Sequence, residues 1–139
     1  MRTVYIDFDD TLVGYKLLVP QPFLRCGTRY FLKELSYLTE INVLSFNDKT
    51  FIANALIEFD LIPYISEIYD YTYVASHRNA RINPSAVLID DYDISDPITR
   101  EKMAFLGIGP KNLIVVESAS TSKVCLDKYL PLVLERIHA

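Results

Sequence analysis

Short runs of apolar residues alternate along the chain with longer segments in which apolar positions recur every three to four residues. The runs predict buried strands at 3–8, 41–46, 69–75, 86–90 and 113–116. The longer segments predict amphipathic helices at 27–39, after a cap at Asn47 or Asp48, near 97–106 and at 122–137. This alternation is typical of a three-layer, Rossmann-like α/β fold, with a mostly parallel five-stranded sheet and helices on both faces.

Residues 12–24 depart from both patterns, because Gly14, Pro20 and Pro22 interrupt a mixed apolar stretch. Such a stretch predicts a hairpin or flap rather than a helix. No internal repeat or long linker divides the 139 residues, so the sequence predicts a single domain over 1–139.

Composition narrows the class of protein. Half of the residues are hydrophobic and 23% are charged, which excludes global disorder. No run is long enough for a membrane span, and no signal-peptide pattern precedes the first strand. Cys26 and Cys125 are too few for a disulfide framework or a zinc site, so we expect them in core packing and the protein in the cytoplasm. The net charge of −4 does not indicate a broad nucleic-acid surface.

Polar side chains follow each predicted strand, at the edge of a parallel sheet where ligands bind. The residues to consider there are Asp7, Asp9, Asp10 and Thr11; Ser45, Phe46 and Asn47; Ser76, His77 and Arg78; Asp90 and Asp91; and Glu117. Five of these acids follow only two strands, so their carboxylates repel one another unless a cation binds between them. Oxygen ligands of this kind favour Mg²⁺.

The segment Asp7-Phe8-Asp9-Asp10-Thr11 resembles the DxDx[TV] motif of the haloacid dehalogenase (HAD) superfamily. A strand ending in Ser45 and paired acids at Asp90-Asp91 resemble two later motifs of that family, in the family's order. The resemblance implies a phosphatase in which Asp7 is the nucleophile and Asp9 the general acid and base. It also implies Mg²⁺ bound by Asp7, Asp90, Asp91 and the backbone carbonyl of Asp9, as well as phosphate binding by Thr11, Ser45, Phe46 and Lys49.

The family's basic residue, which neutralises charge on the phosphoryl group, has three candidates in this sequence. Arg78 follows the third predicted strand most closely, and its guanidinium can hold two phosphate oxygens at once. Arg81 and Lys49 are the alternatives. We therefore predict Arg78 as the catalytic cation, with these two kept open.

Neither interval that carries a cap domain in HAD proteins is long enough for one here, which implies a capless member. Residues 24–35 are similar to a segment of the small carboxy-terminal-domain phosphatases, and the chain resembles the phosphatase half of polynucleotide kinase-phosphatases about as well. These resemblances imply a macromolecular substrate, either a phosphoprotein or a nucleic-acid end. A catalytically inactive HAD-like scaffold is the alternative, and a phosphoacceptor receiver domain a third; the sequence leaves the oligomeric state open.

Overall fold

The computed structural model describes residues 2–139. Its strands are β1 (Thr3–Ile6), β2 (Val13–Gly14), β3 (Phe23–Leu24), β4 (Glu40–Leu44), β5 (Glu67–Tyr69), β6 (Val87–Asp90) and β7 (Leu113–Val115). Its α-helices are α1 (Thr28–Ser36), α2 (Lys49–Glu58), α3 (Tyr71–Ser76), α4 (Pro97–Leu106) and α5 (Leu130–Ile137). Short 3₁₀ turns lie at Ile62–Tyr64, Pro110–Asn112 and Leu126–Tyr129.

Five strands form one parallel sheet in the order β5-β4-β1-β6-β7. β1 lies at its centre, where Ile6 pairs with Val43 on one side and Ile89 on the other. The Asp7 N–H continues this pairing by donating to the Ile89 carbonyl at 2.9 Å. The carboxyl ends of β1, β4 and β6 therefore meet at one edge of the sheet, and the predicted α/β fold with a parallel five-stranded sheet is confirmed.

Apolar side chains cover both faces of the sheet, because successive strand residues point to opposite sides. Val4 and Ile6 of β1 belong to a buried cluster with residues of α1, α2 and α5. Tyr5 of the same strand belongs to a second buried cluster, with residues of α3 and α4. The helices thus form a layer on each face.

The strand predicted at 69–75 is wrong over most of its length. β5 ends at Tyr69, and Asp70 then caps α3, its side chain accepting a hydrogen bond from the Tyr73 N–H at 3.1 Å. Tyrosines that alternate with small residues favour a strand by propensity. Here the Asp70 cap favours a helix over a strand. The helix places Tyr73 beside the rings of Tyr69 and Phe105.

The last predicted helix begins later than the pattern indicates, at Leu130, and Pro131 occupies a position in its first turn that suits proline. Before it, Cys125 has extended backbone and forms a disulfide with Cys26, with Cα atoms 4.7 Å apart. The core-packing role predicted for the cysteines is therefore wrong, and Cys26 is exposed. Disulfides are most stable in oxidising compartments, so the cytoplasmic location stays a prediction.

The predicted flap is a hairpin in which β2 and β3 pair antiparallel, Val13 opposite Leu24. Within residues 2–139, no further domain covers the carboxyl edge of the sheet. None of the helices formed by these residues has the length and apolar character that crossing a lipid bilayer requires.

Candidate active site

The loop after β1 folds back on itself immediately. The Phe8 carbonyl accepts hydrogen bonds from the N–H groups of three residues, Thr11, Leu12 and Val13. Asp10 adopts positive φ (63°), a conformation that aspartate tolerates better than most residues. This tight turn keeps the side chains of Asp7, Asp9 and Thr11 at the carboxyl end of the sheet.

A cavity of about 600 Å³ opens at this edge. The lining residues come from the loops after β1, β4 and β6 and from α4: Asp7, Asp9, Asp10, Ser45, Phe46, Asn47, Asp90, Asp91, Tyr92, Asp96, Ile98, Thr99 and Lys102. Six of them are aspartates and one is a lysine, so the cavity concentrates negative charge.

Lys102 joins the two most buried aspartates of the cavity. Its Nζ donates to Asp7 Oδ1 at 3.0 Å and to Asp90 Oδ2 at 2.8 Å, and the lysine is only 3% exposed. Burial alone would lower the pKa of Lys102, but the carboxylates of Asp7 and Asp90 outweigh burial and raise that pKa above its usual value. Lys102 is therefore a fixed cation in contact with both acids.

Asp7 is held on its other side by Thr11, whose Oγ1 donates to Asp7 Oδ2 at 3.2 Å. Burial raises the pKa of Asp7 to about 6, because the lowering effect of Lys102 does not fully offset burial and the nearby Asp90. The contacts with Thr11 and Lys102 fix both oxygens of the Asp7 side chain in place.

Asp91 completes a cluster with Asp7 and Asp90. One carboxylate oxygen from each of the three residues lies within 4.8 Å of the others. Burial, and after it the charge of Asp7, raise the pKa of Asp91 to about 8. The raised pKa of Asp91 indicates that the single positive charge of Lys102 does not compensate the negative charge of three ionised carboxylates.

This chemistry fits a divalent metal ion. The three donors are hard carboxylate oxygens, and Mg²⁺ is bound in proteins by a few carboxylates together with water. Asp90 is positioned for such a role, since its Oδ1 accepts from the Asp91 and Tyr92 N–H groups at 2.7 and 3.3 Å. The cluster is therefore a candidate site for a divalent metal ion, and its three residues are among the four metal ligands predicted from the sequence.

Asp9 has a different set of partners from Asp7. Asn47 Nδ2 donates to its two carboxylate oxygens at 3.2 and 3.0 Å, and the Tyr15 hydroxyl of the hairpin donates to Oδ1. Burial and the hydrogen bond to Asp9 raise the pKa of Tyr15, so this phenol keeps its proton. The two acids of the DxD segment thus lie in one cavity with separate supports.

Most of the predicted site residues meet here. Ser45 is buried and lines the cavity, its Oγ accepting from the Asn47 N–H at 3.2 Å. Phe46 lines the cavity as well, and Lys102 Nζ lies 5.9 Å from its ring centroid. Thr11, which was predicted to bind phosphate, is fully buried and does not line the cavity; its hydroxyl contacts the Asp7 carboxylate instead.

All three candidates for the basic residue lie elsewhere. Arg81 is exposed and does not line the cavity. Arg78 is an exposed side chain that forms a salt bridge with Glu101 (3.0 Å) and a hydrogen bond with the Tyr71 hydroxyl (3.1 Å). Lys49 is exposed at the start of α2 and does not line the cavity. The prediction for Arg78 assumed a strand at 69–75. Because α3 occupies most of that segment instead, Arg78 follows a helix and does not line the cavity.

Lys102 and Tyr15 were not predicted as site residues, yet they contact Asp7 and Asp9, and Asn47 of the predicted edge contacts Asp9 as well. For Lys102 a signal exists: Thr99, Lys102, Met103 and Leu106 follow helical spacing, and all four are buried. A lysine on the buried face of a helix requires an acidic partner, and the helix directly follows the Asp90-Asp91 strand. No comparable pattern marks Tyr15, which reaches Asp9 through the fold of the hairpin.

Comparison with known proteins identifies no family for this chain. No protein-family model matches the chain, and no curated protein matches it either.

Proposed function

We propose that this protein is a metal-dependent phosphomonoester hydrolase that acts as HAD phosphatases do, through a phosphorylated aspartate. One observation carries the proposal. Two acids of one loop, Asp7 and Asp9, share a cavity while Asp7 belongs to a cluster with Lys102, Asp90 and Asp91, and Asp9 is held apart by Tyr15 and Asn47.

Asp7 has the environment of a nucleophile. Its carboxylate attacks phosphorus, and the bond from phosphorus to the substrate's ester oxygen breaks. Lys102 keeps Asp7 ionised in a buried position and supplies positive charge beside the phosphoryl oxygens, where negative charge accumulates in the transition state. This lysine takes the role that the sequence assigned to Arg78.

Asp9 is separated from this cluster and can exchange a proton. It gives a proton to the leaving ester oxygen, and in the second step it takes one from the water that attacks the phosphorylated Asp7. Phosphate then leaves and Asp7 returns to its starting form. Ser45 and the neighbouring loop after β4 line the cavity where phosphoryl oxygens would be held.

Asp7, Asp90 and Asp91, with the Asp9 backbone carbonyl, would hold the Mg²⁺ ion. When bound, the ion would neutralise charge on the phosphoryl group and bring that group beside Asp7. Because no domain formed by residues 2–139 covers the cavity, a small metabolite would bury little surface. A macromolecular substrate therefore fits this site better than a free metabolite.

The test is hydrolysis of a generic aryl phosphate by the purified protein. We expect turnover that requires Mg²⁺, stops on addition of a chelator and is absent in Asp7→Asn, with the circular-dichroism spectrum of that variant unchanged. Near-normal turnover in Asp7→Asn would overturn the covalent mechanism. Complete inactivity of the wild-type protein, with and without Mg²⁺, would favour the alternative of a non-catalytic HAD-like scaffold.

A further inference from the structure

A second cavity, of about 620 Å³, lies directly beside the candidate active site, and we call it the basic groove. The hairpin and the segment 119–124 form its walls, with the lining residues Tyr15, Lys16, Leu17, Phe23, Leu24, Arg25, Cys26, Ala119, Ser120, Thr121, Ser122, Lys123 and Val124. Three of these are basic and, within residues 2–139, none is acidic.

Two residues of the groove wall form hydrogen bonds with aspartates of the candidate active site. Tyr15 lines the groove while its hydroxyl bonds Asp9. Ser120 also lines the groove, and it accepts from the Tyr15 N–H at 2.8 Å while its hydroxyl bonds Asp10. The groove therefore lies next to the loop that carries Asp9 and Asp10, within reach of a chain whose phosphate is bound at Asp7.

Arg25 gives the groove a buried positive charge. The side chain is only 3% exposed, and its guanidinium donates to the Val124 carbonyl at 3.0 and 2.9 Å and to the Thr11 carbonyl at 3.2 Å. None of the salt bridges formed by residues 2–139 includes Arg25. Glu117 and Asp91 act on the Arg25 charge without contacting it, and the guanidinium itself bonds only carbonyl oxygens, so it adds positive charge to this wall of the groove.

Charge is thus divided between two neighbouring cavities. Six aspartates line the candidate active site, whereas Lys16, Arg25 and Lys123 line the groove. A nucleic-acid strand carries one negative charge per nucleotide along its whole backbone, so it would also pass the acidic mouth and be repelled there. A peptide carries its charges on chosen side chains, which can lie in the groove alone.

The hairpin tip adds an apolar surface to the same wall. Leu17 and Leu18 are 90% and 94% exposed, and Val19 is 44% exposed. These exposed side chains offer an apolar contact surface beside the groove. This surface suits the apolar side chains of a peptide and offers nothing specific to a phosphodiester backbone.

We propose that the basic groove binds the acidic segment of a phosphoprotein substrate next to its phosphorylated residue, with apolar substrate side chains on the hairpin tip. The proposal rests on the phosphatase function proposed above. It names the substrate class of that site as phosphopeptides with Asp or Glu beside the phosphate.

The experiment compares kcat/KM at low ionic strength for phosphopeptides of one length whose flanks are acidic, neutral or basic. The wild-type protein should prefer acidic over neutral flanks by at least about fivefold. Lys16→Glu/Lys123→Glu should remove that preference and shift it toward basic flanks. The matched control is Lys111→Glu, an exposed lysine just before β7 at the opposite edge of the sheet, which should keep the wild-type preference.

The outcomes separate the groove from the phosphatase function. If the protein hydrolyses aryl phosphate but shows no flank preference, or keeps its preference in the double variant, the groove proposal is overturned and the function stands. Faster hydrolysis of a phosphorylated oligonucleotide end than of any peptide would replace the peptide by nucleic acid. If nothing is hydrolysed, binding of a fluorescent acidic phosphopeptide decides. Loss of binding in the double variant alone supports the groove without the function, and absence of binding to the wild type overturns the groove.

Discussion

At the residue scale, the contacts of Lys102 support the nucleophile role proposed for the buried Asp7. A carboxylate in a buried site is unstable unless a cation compensates it, and Lys102 contacts Asp7 and Asp90 together. The same ammonium would stabilise the charge that develops on a phosphoryl group at Asp7. Lys102 therefore links the stability of the site to its chemistry.

Replacing Lys102 by methionine tests this role, because methionine has a similar length and no charge. We expect kcat/KM for aryl phosphate to fall by about 10²–10³-fold, the usual effect of removing one donor to transition-state charge. Arg78→Met is the matched control and should stay within a few-fold of wild type, since Arg78 pairs with Glu101 outside the cavity. A large loss of kcat/KM in Arg78→Met with little loss in Lys102→Met would mean that Arg78 is the catalytic cation.

Tyr15→Phe tests whether the hairpin positions the general acid. The variant removes one hydrogen bond to Asp9 and leaves those from Asn47 in place. Hydrolysis of alkyl phosphates should slow by roughly tenfold and that of activated aryl phosphates much less, because only poor leaving groups need the proton in the transition state. Asp9→Asn should show the same leaving-group dependence in stronger form. Equal losses on both substrates would mean that Tyr15 has a structural role only.

Most residues of the candidate site could be predicted from the sequence, but the side chains that contact them could not. Asp7 and Asp9 lie just after β1, Asp90 ends β6 and Asp91 follows it, so the sheet alone brings them together. The partner of a buried acid depends on which face of a helix is turned inward and where that helix begins. Residue types alone favour Arg78, whereas packing of α4 places Lys102 at Asp7.

At the scale of elements, the disulfide joins the segment before α1 to the turn before α5. Cys26 and Cys125 are 99 positions apart, and beside them Arg25 bonds the Val124 carbonyl. The pair therefore ties one wall of the basic groove to the other. A cross-link that closes so long a loop restricts the unfolded chain strongly.

The predicted consequence is a loss of stability on reduction. Cys26→Ser/Cys125→Ser should lower the free energy of unfolding by about 2–4 kcal/mol, measured by urea denaturation. The wild-type protein in excess reductant should match the double variant, and reductant should leave the variant unchanged. Equal stability of oxidised wild type and double variant would show that the bond contributes nothing to the fold.

Helices and strands whose apolar residues follow one clear period could be predicted from the sequence. Segments whose residues suit a helix and a strand equally well could not. α1 was predictable because Phe31, Leu32 and Leu35 share a buried face. α3 was not predictable, since its tyrosines suit a strand equally well and the helix depends on the N-cap that Asp70 provides. The start of α5 depends on contacts of the 124–125 segment with residues about 99 positions away, which no local window contains.

At the scale of the whole molecule, the acidic cavity lowers the stability of the metal-free protein as pH rises. The pKa of Asp7 is raised from 3.8 to about 6 and that of Asp91 from 3.8 to about 8. A raised pKa means that the folded state binds the proton more tightly than the unfolded state. The stabilisation is complete below pH 3.8 and is lost as pH rises through about 6 and about 8.

Thermal unfolding in the presence of a chelator should therefore give a lower Tm at pH 8 than at pH 5. Adding Mg²⁺ should raise Tm more at pH 8, where the carboxylates are ionised and bind the ion without losing protons. Asp91→Asn should weaken both effects. A chelated protein whose Tm rises from pH 5 to pH 8, or an equal Mg²⁺ effect at both pH values, would contradict the cluster described here.

The proposed mechanism requires phosphorylation of Asp7 during turnover, and chemical trapping detects that modification. The protein is mixed with Mg²⁺ and a phosphate ester, quenched during the first turnovers and treated with borohydride, which reduces an aspartyl phosphate to homoserine. Mass spectrometry of the N-terminal peptide should show homoserine at position 7, and none when substrate or Mg²⁺ is omitted. Turnover with aspartate intact at position 7 at every quench time, or with the modified residue elsewhere, would contradict the account.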